Sequence, residues 1–170
     1  MQDTFLHKIH LGEVRLIKGD VMSDKLLRDD IVKQVKEVFD SQLKNPVEII
    51  FFGSKDDCEH CEETRRLVDE VIAISDKLHL SSHDLEDDAE IARQYHVSMA
   101  PGLVIAGKDD DRIIDYGIRY AGIPSGYEFS SLIQDLVLVS VRDSGLAAET
   151  RAALAELKKP VHLQVFVTPT

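Results

Sequence analysis

The chain has 170 residues, 44% of them hydrophobic and 30% charged, with 31 acidic against 20 basic side chains and a formal net charge of −11. That length suits one full core or one core plus part of a second, and an acidic surface argues against a nucleic-acid partner. No apolar run reaches the roughly 18 residues of a membrane span, and the charged opening "MQDTFLHKIHLGEVRLIKGD" does not read as a secretory signal, so no membrane association and a cytoplasmic location are expected.

Residues 23–44, "SDKLLRDDIVKQVKEVFDSQLK", predict an amphipathic helix, with Leu27, Ile31, Val35, Val38 and Leu43 at helical spacing and Ser23 or Asp24 as cap. Asn45-Pro46 ends it. "VEIIFFG" is then a short apolar strand of the kind buried on both faces. "CEETRRLVDEVIAIS" is a helix with glutamates in its first turn, where the dipole favours them. "KLHLSSHDL" alternates as a strand, and "DDAEIARQYHV" is a short helix capped by Asp87 or Asp88. "APGLVIAG" and "DRIIDYGI" form an antiparallel hairpin across "KDDD". "SGYEFSSLIQDLVLVSVR" is a helix with Phe129, Leu132, Ile133, Leu136 and Val139 as its apolar stripe. The order α-β-α-β-α-β-β-α predicts an α/β fold whose mixed sheet is flanked by helices.

The end of the chain repeats an earlier stretch. "LKNPVEIIFFGS" (43–54) aligns without gaps to "LKKPVHLQVFVT" (157–168), and both follow an amphipathic helix. We therefore expect the start of a second unit over 144–170, with a helix at 146–158 and a strand at 161–167.

The two cysteines, Cys58 and Cys61, stand together in "KDDCEHCEE". In a cytosolic chain this spacing reads as redox-active or metal-binding rather than as a disulfide scaffold. At a strand-to-helix junction, a CxxC pair supplies an attacking thiolate at the helix N-terminus and a resolving thiol one turn inside. Cys58 is then the nucleophile and Cys61 the resolving cysteine. The acidic neighbours oppose the thiolate: one carboxylate ~6 Å away in water costs roughly 0.7 kcal/mol. A helix terminus offers ~0.3 to 2 kcal/mol, and a protonated His60 adds to it. The balance predicts a Cys58 pKa somewhat below the free value of about 8.5. Zinc is the rival, since Cys58, Cys61, His79 and His83 mimic a C-x2-C…H-x3-H pattern. The two histidines, however, fall on a predicted strand, ~13 Å apart. Glu62 after the second cysteine excludes a c-type haem motif. Tyr95 and His96 read as helix-end packing, and Asp109 to Asp111 as a solvated turn.

"FFGSKDDCEHC", followed further on by "MAPGLVI", resembles the thioredoxin fold. The resemblance implies that Pro101 is the cis proline facing the CxxC, and that Ala100 presents free backbone to a substrate strand. The stretch "DYGIRYAGIPSGYEFSSLI" (115–133) resembles the glutaredoxin-like protein disulfide oxidoreductases of thermophilic archaea and bacteria, which carry two thioredoxin units in tandem. The match lies in Arg119, Tyr120, Gly122, Pro124, Gly126, Glu128 and Phe129, and in "FVTPT" (166–170), which in that family leads directly into a second CxxC.

This resemblance implies a thiol–disulfide oxidoreductase that acts on protein disulfides or dithiols through the Cys58–Cys61 couple. It implies no cofactor beyond that dithiol, tuning by His60, and a thioredoxin-reductase-like flavoprotein as electron donor. Three units are expected: an N-terminal extension over 1–22, with Met22 as an alternative start; a first thioredoxin-like unit over 23–143; and a second unit truncated before its own CxxC. The last should leave apolar surface without its cover. The alternative is a non-catalytic or zinc-bound interaction module.

Overall fold

The computed structural model describes residues 25–56 and 58–166. The 1–22 extension, the Ser23 or Asp24 cap, Asp57, and the last four residues of "FVTPT" lie outside the described residues.

The first helix, α1, runs Asp29–Gln42 and buries Ile31, Val35 and Phe39. It starts later than its apolar period suggests, because Arg28 is its extended N-cap and makes no side-chain cap bond. The entering chain is held instead by Glu70, whose carboxylate accepts the N–H groups of Leu26 (2.6 Å) and Leu27 (2.8 Å). At the far end, the buried Ser140 hydroxyl accepts from the N–H groups of Lys44 (2.9 Å) and Asn45 (3.0 Å). It also donates to the Asn45 carbonyl (2.6 Å), which fixes the turn into the sheet.

Strand β1, Val47–Gly53, is buried at every position, as its unbroken apolarity predicts. Helix α2 (Cys61–Ile72), β2 (Leu78–Asp84) and α3 (Ala89–Gln94) follow. Then come β3 (Gly102–Asp109), β4 (Arg112–Ala121) and α4 (Tyr127–Val141). The sheet order is β2-β1-β3-β4, with β1 parallel to β2 and the remaining pairs antiparallel. The mixed sheet and the β3–β4 hairpin match the sequence expectation. Between Ile105 and Ala106 the β3–β4 register jumps, so that Tyr116 and Gly117 bulge from β4.

Strand alternation divides the core. Val47, Ile49 and Phe51 of β1, with Leu103 and Ile105 of β3, face the large cluster built from α1, α2 and α4. All five predicted stripe residues of α4 are in it. Ile50, Phe52 and Val104 face the other way, against Ala92 and Tyr95 at α3. On that same face of β1 lies Glu48, 5% exposed and paired with Lys108 at 2.8 Å.

Helix α5, Ala148–Ala155, is shorter than the predicted 146–158 and buries no residue. The predicted strand at 161–167 does not form: residues 161–166 have no regular structure and are exposed throughout. A lone strand has no neighbour to take its backbone hydrogen bonds, so apolar alternation alone cannot create one. Leu163, Val165 and Phe166 are each more than 80% exposed, whereas Phe52, the repeat partner of Phe166, is fully buried. Among the described residues, no helix is long and apolar enough to cross a membrane.

Candidate active site

Parallel pairing of β1 with β2 brings their C-terminal ends side by side, and the chain leaves both there. The β2 exit is shaped by Asp84. Its Oδ1 accepts the N–H groups of Glu86 and Asp87 (3.1 Å each). The Asp87 N–H bond leads the causes that hold the Asp84 carboxyl below its ordinary value. The β1 exit is tied to this loop through the Lys55–Asp87 ion pair and the Ser54 hydroxyl, which donates to Glu86 at 3.3 Å.

Cys58 and Cys61 follow, joined as a disulfide with their Cα atoms 5.4 Å apart. Both are half-buried. Cys61 is the first residue of α2 rather than one turn inside it, and His60, with non-helical backbone angles, is the N-cap. The residues from Cys58 to His60 form a turn that ends with the Cys61 N–H donating to the Cys58 carbonyl (3.4 Å). The disulfide therefore straddles the helix N-terminus, where unpaired N–H groups and the positive dipole end favour an anion. Glu62 and Glu63 occupy the first turn, as predicted. The His60 Nδ1 lies 3.8 Å from the Glu63 carboxylate, so this side chain is directed at its own helix.

The Ala100–Pro101 peptide bond is cis. Phe52 pairs with Gly102, so Pro101 falls opposite Gly53, one step past the ladder and beside the strand end that leads to Cys58. A Cβ built at Gly53 would lie 3.8 Å from Cys61 Sγ, which fixes Cys61 against that same strand end. Pro101 is buried, and its carbonyl accepts from the Gly122 N–H at 2.9 Å. Gly102 has no room for a side chain: a Cβ there would sit 2.7 Å from Val97 and 3.0 Å from the Met99 carbonyl. The structure thus brings Cys58, Cys61, His60, Ala100 and Pro101 to one end of the sheet.

Two residues of the 119–129 motif, given no role from sequence, support this end. Arg119 Nε donates to the Tyr95 carbonyl at 2.6 Å, and its guanidinium stands 5.7 Å from the Tyr95 ring centre. It also forms a two-pronged ion pair with Asp115, whose carboxyl it holds below its ordinary value. Arg119 so anchors the segment that runs from α3 to Pro101. Tyr120 donates to Asp135 at 2.6 Å. Burial, then that bond, push the phenol far above its ordinary range, and burial raises the Asp135 carboxyl as well. The signal was present in adjacent Arg and Tyr on a strand, but their partners are remote in sequence.

The proposed zinc set does not assemble. The two cysteines are bonded to each other, and His79 and His83 lie along β2 opposite Glu48 and Phe52. His83 packs on the Phe52 ring and lies 3.4 Å from Asp88. Among the described residues, no group of three or more His, Cys, Asp or Glu side chains is placed to hold a metal ion. A cavity of about 420 Å³ opens on the α3 face, lined by Glu48, His83, Tyr95 and Lys108 among others, and neither cysteine borders it.

No protein-family model matches the sequence. The chain is 30% identical over 122 residues to the AhpF subunit of alkyl hydroperoxide reductase from Pseudomonas aeruginosa, a match that covers 71% of this chain and 20% of that protein. It thus spans about one fifth of the length of the curated relatives it matches. Among solved structures, a protein disulfide oxidoreductase from Aeropyrum pernix superposes with a TM-score of 0.67 at 27% identity, over 85% of this chain and 58% of that one. The AhpF subunit of the Enterococcus faecalis alkylhydroperoxide reductase gives 0.69 at 22% identity, over 79% and 62%. The fold is the thioredoxin fold, and the likeness to a protein disulfide oxidoreductase agrees with the resemblance read from residues 115–133.

Proposed function

We propose that this thioredoxin-fold chain is a thiol–disulfide oxidoreductase working through the Cys58–Cys61 couple. The observation that carries the reading is the disulfide at the β1–α2 junction, beside the cis Ala100–Pro101 bond. In the reducing direction, Cys58 thiolate attacks a substrate disulfide and expels one substrate thiolate. Cys61 then attacks the Cys58 sulfur of the mixed disulfide, closing the internal disulfide and releasing the second thiolate. Two electrons pass to the substrate, and its two sulfurs take up protons from solvent. Ala100 and Pro101 hold the partner's backbone, and His60 tunes the pair. The dithiol is the only redox group required, a thioredoxin-reductase-like flavoprotein regenerates it, and a cytoplasmic location keeps it reduced.

Similarity to the AhpF subunit of alkyl hydroperoxide reductase favours a second reading of the same couple: its electrons go to a hydroperoxide-reducing partner rather than to general protein disulfides. Insulin reduction with dithiothreitol tests the first reading. Wild type should accelerate precipitation and Cys58→Ser should not. If neither turns over insulin and the reduced protein retains stoichiometric zinc, the interaction-module alternative holds instead.

A further inference from the structure

Among the described residues, one buried side-chain oxygen or nitrogen has no hydrogen-bond partner: Oγ1 of Thr64. Thr64 is fully buried. Native proteins leave few such groups, because an unmade buried hydrogen bond is costly, so each calls for a reason. Thr64 lies three residues after Cys61 on α2, and at that spacing helical side chains are neighbours on one face. The face is the inward one: Cys61 packs on the main core, and Leu67, Val68 and Val71 continue the stripe into it. Cys61 Sγ is bonded to Cys58 in this structure. A disulfide sulfur carries no proton and is a weak acceptor, so it gives the hydroxyl little to bond. A thiolate at the same place is a strong, charged acceptor.

We propose that Thr64 is a redox-linked hydrogen-bond donor to Cys61, idle in the disulfide and engaged once Cys61 is a thiolate. The proposal rests on the oxidoreductase reading of the same couple. When a substrate thiolate attacks Cys58, the Cys58–Cys61 bond breaks and Cys61 leaves as a thiolate carrying the electron pair. The Thr64 O–H donates to that leaving sulfur. A second thiolate then attacks the substrate sulfur of the mixed disulfide, forming the substrate disulfide and freeing Cys58 thiolate. Both cysteines finally take protons from water. The hydroxyl thus stabilises the reduced state over the oxidised one and favours release of Cys61.

The test uses Thr64→Val, which deletes the hydroxyl at nearly constant volume, and Thr64→Ser, which retains it. In redox equilibrium with glutathione, Thr64→Val should shift the constant toward the disulfide by about tenfold, which is about 30 mV for this two-electron couple. Thr64→Ser should stay within about twofold of wild type, since it keeps the donor. In a Cys58→Ser background, where only Cys61 titrates, thiolate absorbance should show a higher Cys61 pKa on adding Thr64→Val. Equal behaviour of Thr64→Val and wild type in both measurements would overturn the proposal, as would equal shifts from Val and Ser. A wild-type protein that fails to equilibrate with glutathione would instead refute the oxidoreductase reading, while the Cys61 titration still decides whether Thr64 bonds that sulfur.

Discussion

Glu70→Gln tests whether the cysteine-bearing helix is what anchors the start of α1. Glu70 accepts two backbone N–H bonds, from Leu26 and Leu27, whose side chains are buried at 6% and 1% exposure. Hydrogen bonds to a charged group contribute about 1.5 to 3 kcal/mol each. Glutamine preserves shape and helix propensity, yet it has one acceptor oxygen and turns an NH2 group toward the second N–H. It therefore keeps about one neutral bond, worth roughly 1 kcal/mol, and strands the other donor. Allowing for partial solvent access, the loss is about 2 to 4 kcal/mol. With a urea m-value of about 2 kcal/mol per molar, the unfolding midpoint should fall by about 1 to 2 M. Glu70→Ala, which removes both bonds, should fall at least as far. A Glu70→Gln midpoint within about 0.3 M of wild type would show that solvent or another group satisfies these amides and that the clamp is incidental.

Gly102→Ala should cost about 1 to 3 kcal/mol, because its Cβ meets Val97 and the Met99 carbonyl. It should also depress insulin reduction more than Cys58 alkylation, since it displaces the segment before Pro101; unchanged turnover would detach that segment from the reaction. Lys108→Met leaves the Glu48 carboxylate buried without its partner. It should destabilise by about 2 to 4 kcal/mol, less than a fully buried pair because Lys108 is partly exposed, and the Glu48→Leu/Lys108→Met pair should recover much of that in urea midpoint. Asp135 gives a pH signature. Its folded carboxyl titrates above its ordinary 3.8, with burial the main cause and the Tyr120 bond opposing it. The folded state then holds the proton more tightly than the unfolded state, so stability falls as pH rises from the unfolded value through the folded one. Asp135→Asn, still able to accept from Tyr120, removes that slope. Its stability relative to wild type should grow as pH rises above about 4, and a constant difference in urea midpoints would refute the assignment.

Element types followed from local periodicity, while several boundaries did not. The α4 stripe and the continuous apolarity of β1 carry their burial in their own spacing, and both were legible. The start of α1 was not. Its anchoring carboxylate lies on another helix, and no window around residues 23–30 contains it. Helix α2 starts at Cys61, where its apolar stretch begins, so Cys61 is its first residue and not one turn inside it. The absent strand at 161–166 shows the converse. Its pattern repeats that of β1, yet β1 is a strand through its pairing with β2 and β3, and residues 161–166 have no such neighbours. At the site, the CxxC spacing marked Cys58 and Cys61 and the family resemblance marked Pro101, and the sheet brings the three to one end. The partners of Arg119 and Tyr120 needed the sheet register and α4 before they could be read.

The acid around the pair then weighs differently from its sequence. Counted along the chain, the carboxylates outnumber the cations beside Cys58. In space, Lys55 pairs with Asp87, and the His60 Nδ1 lies 3.8 Å from the Glu63 carboxylate. Asp56, Glu59 and Glu62 are exposed, and charges in water are screened over about 8 Å at physiological salt. The helix N-terminus is not displaced by salt in the same way, because its N–H groups are fixed beside the cysteines. Pairing also removes help: a Lys55 held by Asp87 lends less positive charge to its surroundings than an unengaged one would. The two corrections oppose each other, leaving the α2 terminus as the steadier term for both sulfurs. Because α2 begins at Cys61, any group that favours that sulfur as a leaving thiolate acts on the proposed couple as directly as Glu59 and His60 between the cysteines do. On the proposed reading of the couple, the inward face of α2 therefore acts on the direction of electron flow alongside the acids visible in the sequence.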